Sequence, residues 1–104
     1  METDEKGVRY LTEKYIRDLC ESNGQYATPS LNDTLYLHYK AFSHIEHLDA
    51  YVNLKSIWLE CNGITKIEGL GTMKKLRMIY LHQNSISKIE NLSMLTQLVT
   101  INLS

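Results

Sequence analysis

Apolar residues recur along the chain at a fixed interval of 22 positions. The stretches LKSIWLECNGI at 54–64 and LRMIYLHQNSI at 76–86 show the same order of apolar and polar residues. Eight positions correspond across two complete copies, which are Leu54, Ile57, Leu59, Asn62, Ile64, Ile67, Leu70 and Met73, then Leu76, Ile79, Leu81, Asn84, Ile86, Ile89, Leu92 and Leu95. A register that holds through strand-like and turn-like segments predicts a stack of similar structural units.

Fainter copies flank these two units. The preceding copy keeps the apolar positions at Leu35, Leu37, Phe42, Ile45, Leu48 and Tyr51. In it, Asn32 stands where the leading leucine is expected and Lys40 stands where the asparagine is expected. A further copy begins at Leu98, Ile101 and Leu103. We therefore predict repeats over residues 32–104, as three full repeats and a truncated fourth.

The pattern L-x-x-L-x-L-x-x-N-x-L at this period is typical of a leucine-rich-repeat solenoid, an α/β fold. The alternating segment around Ile57 predicts a short strand in each unit, and these strands stack in parallel on the concave side. Spacings of three between Leu70, Met73 and Leu76 predict 3₁₀ or single helical turns on the convex side. The amides of Asn62 and Asn84, as a structural asparagine ladder, are suited to satisfy backbone groups where each strand turns inward.

The first unit needs a cover over its apolar edge. Residues at helical spacing precede it, namely Leu11, Tyr15, Ile16, Leu19 and Cys20, and Asn23-Gly24 is a typical helix end. We predict a capping helix and linker within residues 10–31, after a flexible N-terminus at 1–9. The sequence ends two residues before the next expected asparagine, so we expect an N-terminal fragment of a longer protein.

Outward strand positions supply the candidate binding residues. One row is aromatic, with Tyr36, Trp58 and Tyr80 followed by Asn102, and a second row holds His38, Glu60 and His82. A third row holds Thr34, Ser56, Met78 and Thr100. Exposed aromatic residues are enriched in binding hot spots, so we predict a protein-binding concave face of Tyr36, Trp58, Tyr80, His38, Glu60, His82, Met78 and Asn102. The alternative is that the rings only stack on one another and stabilise the sheet.

The sequence His38, Glu60, His82 on successive strands raises the possibility of a metal site. Two strand spacings place the outer imidazoles about 9.6 Å apart. One ion bound at about 2 Å from each ligand cannot reach both without large shifts. We therefore predict no metal.

Composition narrows the function further. The chain of 104 residues is 43% hydrophobic and 22% charged, with a net charge of −1. It lacks the excess of basic residues that is typical of nucleic-acid binding, so we expect no nucleic-acid partner. No apolar run is long enough for a membrane span, and we expect no membrane binding. Cys20 and Cys61 lie far apart in no metal-ligand pattern, which favours free thiols in a reducing compartment. Catalytic and cofactor motifs are missing, so we predict no enzyme activity, no cofactor and no small-molecule substrate.

The repeat endings NGITKIEGL and NSISKIENL resemble those of the SDS22-like class of leucine-rich repeats. Within that class, YATPSLNDTLYLHYKAF followed by WLECNGI closely resembles the leucine-rich-repeat factors that pre-assemble ciliary dynein arms. The resemblance implies a non-enzymatic cytoplasmic scaffold, associated with cilium or flagellum biogenesis. Its implied partners are axonemal dynein chains, other assembly factors and chaperones. Two alternatives keep the fold: a regulatory subunit of protein phosphatase 1, or an adaptor of the axonemal dynein light-chain type.

Overall fold

Short parallel strands form a single sheet along the described part of the chain. The computed structural model describes Thr3 and residues 9–103. One sheet runs through this region in sequence order, with the strands β1 (Thr34–Tyr36), β2 (Ser56–Trp58), β3 (Met78–Tyr80) and β4 (Thr100–Asn102). Every neighbouring pair is parallel, which confirms the predicted sheet of stacked parallel strands.

The pairing register follows the sequence interval. Ile57 pairs with Leu35 on one side and with Ile79 on the other. Trp58 likewise lies between Tyr36 and Tyr80, each 22 positions away. Because side chains alternate between the two faces of a strand, this register keeps apolar residues in one row and the aromatic rings in another.

The apolar rows form one continuous core. Ile57 and Leu59 are fully buried, and the equivalent positions of the neighbouring units pack against them. The buried apolar residues are Leu11, Ile16, Cys20, Leu35, Leu37, Phe42, Ile45, Leu48, Tyr51, Leu54, Ile57, Leu59, Ile64, Ile67, Leu70, Met73, Leu76, Ile79, Leu81 and Leu95. One unit cannot cover such an edge alone, so the units depend on each other for stability.

Single turns carry the chain back between strands. The Met73 amide donates to the Leu70 carbonyl at 3.1 Å, and the Leu76 amide donates to the Met73 carbonyl at 3.1 Å. These i to i+3 bonds give the spacing of three that the sequence shows. In the described part of the chain, the one 3₁₀ helix is Pro29–Leu31, which precedes β1, so the convex return consists of separate turns.

A helix, α1, spans Glu13–Ser22 ahead of the first strand. The Thr12 hydroxyl caps its start by accepting a hydrogen bond from the Tyr15 amide at 3.0 Å. Ile16 and Cys20 are buried in the same core as the repeats, while the charged side chains of the helix face solvent. No helix in the described region is long and apolar enough to cross a bilayer.

The ends of the chain differ in how much is described. Of the predicted flexible N-terminus at 1–9, only Thr3 and Arg9 are described, and Arg9 forms a parallel bridge with Phe42. The rest of that segment and Ser104 lie outside the described residues.

Core positions near β4 are less covered than their counterparts. Ile89 has 66% of its surface exposed, although the equivalent Ile67 is fully buried. Leu103 is partly buried, like several other apolar residues of this region. The sequence pattern predicts Ile89 in the core, and the difference arises because no further described unit packs against this side.

Candidate protein-binding face

The sheet surface that points away from the core carries the three predicted rows of outward residues. We call this surface the concave face and define it by the aromatic row, the His-Glu-His row and the row of Thr34, Ser56, Met78 and Thr100. Strand pairing places the members of the aromatic row and of the third row side by side. Beyond the strand ends, the Glu60 carbonyl accepts from the Tyr39 amide and the His82 carbonyl accepts from the Cys61 amide, each at 3.1 Å, which keeps the His-Glu-His row in the same register. The structure therefore brings all the predicted binding residues onto one surface.

The aromatic row is a stack of rings. The Trp58 and Tyr80 ring centroids lie 4.1 Å apart with 19° between the planes, and those of Tyr36 and Trp58 lie 6.2 Å apart at 26°. Tyr36 keeps 40% of its surface exposed, and the other two rings are half-buried. Stacking is present, and the row still offers aromatic surface to a partner.

Two further candidates flank the stack. The Tyr80 hydroxyl donates to the Met78 sulfur at 3.5 Å, which links the aromatic row to the third row. Asn102 is half-buried beside Tyr80 on the neighbouring strand. Both residues extend the concave face without a full charge.

The His-Glu-His row is more buried than its outward position predicts. Only 8% of the surface of Glu60 is exposed to solvent, while His38 and His82 are half-buried. His38 and His82 hold the equivalent positions in the two neighbouring units, and His38 Nδ1 is 4.0 Å from the Glu60 carboxylate. Alternation along the strand predicts the side on which Glu60 lies, but it does not predict how deeply the side chain is buried.

Three polar atoms of this row have no hydrogen-bond partner in the described part of the chain. They are Glu60 Oε1, His38 Nδ1 and His82 Nδ1, all of them buried. His38 Nδ1 lies 4.0 Å from Glu60 Oε1, which is too long for a hydrogen bond. Buried polar atoms without partners are uncommon and costly in folded proteins, so this row is an unusual feature of the surface.

Possible metal ligands in the described part of the chain do not have the arrangement that an ion requires. Among the described residues, no group of three or more His, Cys, Asp or Glu side chains is arranged to hold an ion. The three residues of the row follow three successive strands, each two residues after the strand end.

The asparagines hold the turns at the strand ends. Asn62 Oδ1 accepts from the amides of Lys40 at 2.9 Å and Ala41 at 2.8 Å. Its amide nitrogen donates to the carbonyls of Leu37 and Leu59, each at 2.9 Å. Asn84 repeats this arrangement one unit later, with its oxygen accepting from the amides of Asn62 and Ile64. Each asparagine thus joins its own turn to the preceding one.

A fourth column beside the His-Glu-His row was missed by sequence reasoning. Tyr39, Cys61 and Gln83 follow each other at the repeat interval, and all three have φ between 55° and 59°. The Cys61 thiol lies 2.7 Å from Gln83 Oε1, and a hydrogen bond with Cys61 raises the pKa of Tyr39. Tyr39 is 71% exposed. The repeat interval could have identified this column, but the three side chains share no chemistry.

Asn32 shows how the atypical first unit is closed. It is buried, with 3% of its surface exposed. Its side chain accepts from the Tyr26 amide at 3.1 Å and donates to the Tyr26 carbonyl at 2.9 Å. The polar residue at a leucine position is therefore satisfied by the segment that links α1 to β1.

Comparison with known proteins identifies the repeats. Residues 52–92 match the family model for leucine-rich repeats in two copies. The chain also resembles the solved structure of the functional domain of InlJ from Listeria monocytogenes, a domain that includes a cysteine ladder. The TM-score is 0.53 at 21% identity, over 61% of this chain and 13% of that one, and this likeness concerns the fold alone.

Curated relatives share one name. The chain is 52% identical over 59 residues to the dynein axonemal assembly factor 1 homolog of Drosophila yakuba, covering 57% of this chain and 4% of the relative. It is 54% identical over 54 residues to the dynein axonemal assembly factor 1 homolog of Anopheles gambiae, covering 52% of this chain and 6% of the relative. It is 47% identical over 56 residues to dynein axonemal assembly factor 1 of Rattus norvegicus, covering 54% and 9%.

The matched region thus spans less than a tenth of these relatives. The stacked parallel strands, the structural neighbour and the family model agree on the architecture. Residues 52–92 are leucine-rich repeats, and over its repeat region the chain is a homologue of dynein axonemal assembly factor 1 at about 50% identity.

Proposed function

We propose that this chain is the partner-binding part of a non-enzymatic scaffold for the pre-assembly of axonemal dynein arms. It acts in the cytoplasm, in the service of cilium or flagellum biogenesis. Its partners are axonemal dynein chains, other assembly factors and chaperones, and they contact the concave face. The name shared by the relatives supports the process.

The exposed aromatic row is the observation that carries the binding proposal. Trp and Tyr offer a large contact area with few rotatable bonds, which is why they dominate binding hot spots. Here Tyr36, Trp58 and Tyr80 form one row on one surface. Mutual stacking holds the rings in place before a partner binds, so less side-chain conformational entropy is lost on binding.

The organisation of the chain fits this role. We propose 22-residue SDS22-like repeats over 32–104, with α1 and the following linker in 10–31 as the N-terminal cap and with 1–9 as a flexible N-terminus. Cys20 of α1 and Tyr51 of the first return segment are buried in the same core, which supports docking of the helix onto the first unit. The rigid stack then serves as a platform, and the concave face is the surface left for partners.

The test is the double variant Trp58→Ala with Tyr80→Ala in the full-length protein. Truncating interface aromatics costs about 2 kcal/mol or more, which is roughly a 30-fold loss of affinity. Co-precipitation of axonemal dynein heavy chains from the cytoplasm of ciliated cells should fall accordingly.

The matched control is Tyr26→Ala with Val52→Ala, which removes two exposed apolar side chains outside the concave face. It should leave co-precipitation unchanged. Thermal unfolding of both variants shows whether the fold is kept. If the aromatic double variant folds and still co-precipitates dynein chains at the level of the control, the concave face is not the binding surface.

A further inference from the structure

We propose that Glu60 and its two flanking histidines form a binding subsite for an arginine side chain of a partner protein. This inference rests on the proposed function, because it names the chemistry that the concave face selects. It starts from the unpartnered carboxylate oxygen at the centre of that face.

Glu60 is the only carboxylate in the three rows of the concave face, and no lysine or arginine occurs among their described members. With 8% of its surface exposed and Oε1 without a hydrogen bond in the described region, the carboxylate is shielded from water. A buried carboxylate without a partner is unfavourable in the free protein. A guanidinium that reaches Oε1 therefore supplies the hydrogen bond that this atom lacks, and it takes the place of the longer 4.0 Å contact with His38 Nδ1.

The flanking imidazoles favour arginine over lysine. With the proton on Nε2, each Nδ1 is a hydrogen-bond acceptor, and both Nδ1 atoms are buried without a described partner. The row thus presents three acceptor atoms from three successive units. Guanidinium is planar, carries several N–H donors and is weakly hydrated, so it can serve a carboxylate and a neighbouring acceptor together. An ammonium group is more strongly hydrated and loses more on entering a shielded site.

Entry requires a small movement of side chains. His38 Nδ1 and Glu60 Oε1 are 4.0 Å apart, so the His38 ring must turn to admit the guanidinium. Rotamer changes of this kind are common at interfaces. The Trp58 and His38 ring centroids lie 6.5 Å apart, so a turn of the imidazole changes the surroundings of the only tryptophan in the chain. Trp58 fluorescence therefore reports occupancy.

The probe is the capped tripeptide acetyl-Gly-Arg-Gly-amide, titrated into the chain while Trp58 fluorescence is recorded. Its control is the same peptide with citrulline, which replaces the guanidinium by a neutral urea group of similar shape. We expect a saturable change with the arginine peptide and affinity at least tenfold weaker with citrulline. A lysine peptide should also bind more weakly. Equal responses to arginine and citrulline, or a stronger response to lysine, overturn the proposal.

The variant Glu60→Gln should weaken arginine-peptide binding at least tenfold. Glu46→Gln, which changes a carboxylate outside the concave face, should not. Denaturant unfolding of the free chain supplies the second readout. Because the carboxylate has no described hydrogen-bond partner, Glu60→Gln should leave the unfolding midpoint unchanged or raise it. A lowered midpoint would show that the carboxylate supports the fold, and this result contradicts a binding subsite.

A divalent cation is the competing occupant. Titration with zinc chloride should leave Trp58 fluorescence unchanged, and a saturable zinc response that Glu60→Gln abolishes overturns the proposal in favour of a metal site. Co-precipitation separates this inference from the proposed function. If the Trp58→Ala, Tyr80→Ala variant loses dynein chains while Glu60→Gln retains them, the binding face stands and the arginine subsite falls.

Discussion

The indole of Trp58 lies face to face with the phenol ring of Tyr80, with 4.1 Å between the ring centroids and 19° between the planes. The two residues are partners across neighbouring parallel strands. On the other side of Trp58, the Tyr36 ring is 6.2 Å away. The aromatic row therefore consists of one tight pair and one looser neighbour, and this asymmetry can be measured.

A double-mutant cycle of Trp58→Ala and Tyr80→Ala should give a coupling of about 1 kcal/mol in the free energy of unfolding, as aromatic pairs contribute beyond their buried area. The same cycle on Tyr36 and Trp58 serves as the comparison and should give a smaller value, because those rings are farther apart. Urea unfolding of the four proteins in each cycle measures it. Equal couplings would mean that ring contact does not determine the interaction energy.

Replacing Asn62 by alanine should lower the free energy of unfolding by about 3 kcal/mol, because it leaves the amides of Lys40 and Ala41 and one carbonyl, that of Leu37, without this partner. The Leu59 carbonyl still accepts a hydrogen bond from the side-chain amide of Asn84 at 3.0 Å. Asn53→Ala is the matched control. Its half-buried side chain donates one solvent-exposed hydrogen bond to the Ser30 carbonyl at 2.8 Å, and the loss of this bond should cost about 1 kcal/mol or less. Guanidinium unfolding monitored by circular dichroism distinguishes the two, and comparable losses would contradict a special role for Asn62.

Gly69 and Gly24 have nearly the same positive φ, 73° and 75°, but different surroundings. A Cβ at Gly69 would lie 2.7 Å from the Ile45 carbonyl oxygen, whereas a Cβ at Gly24 would meet nothing within 4 Å. Gly24→Ala should therefore cost about 1 kcal/mol for backbone conformation alone.

Gly69→Ala should cost about 2 kcal/mol more than Gly24→Ala, because the backbone of the preceding unit must also shift. Differential scanning calorimetry of the two variants gives the comparison directly. A smaller loss at Gly69 than at Gly24 would show that the contact with Ile45 relaxes freely.

The contact between α1 and the first return segment predicts a loss of stability in alkali. Burial raises the pKa of the Cys20 thiol above its usual value of 9.0, and burial together with Cys20 raises the pKa of Tyr51. Both groups are neutral when protonated, so their stabilising effect is complete below the pKa of the unfolded thiol. It is lost as the pH rises through the pKa of the folded state.

The free energy of unfolding should thus begin to fall as the pH rises past 9.0, the usual pKa of the thiol, and should go on falling up to the raised pKa of the folded state. Cys20→Ala should flatten this part of the profile. Urea unfolding at several pH values checks both, and an unchanged slope in Cys20→Ala would exclude the thiol as the cause.

Much of the fold could be predicted from the interval of 22 residues alone. Partners in the sheet, such as Leu35 with Ile57 and Ile57 with Ile79, are the positions that correspond in sequence. This works because a solenoid places equivalent residues of successive units next to each other. The interval failed for Ile89, which is exposed, because burial at the edge of a stack depends on what packs against it.

The candidate face could be predicted only as a set of positions. The sequence placed Tyr36, Trp58 and Glu60 on the outward side of the strands, since alternation along a strand decides the side. It could not predict the hydrogen bonds of Asn32 with Tyr26, because those link a strand unit to an irregular segment whose path no periodicity describes.

Periodicity along the chain is enough to predict the repeat, the parallel register and the side on which each row lies. The close stacking of Trp58 on Tyr80 and the burial of Glu60 beside His38 are established by the folded structure alone. The physical reason is that ring stacking and burial depend on side-chain rotamers and on neighbours from adjacent strands. Those neighbours come together only when the chain has folded.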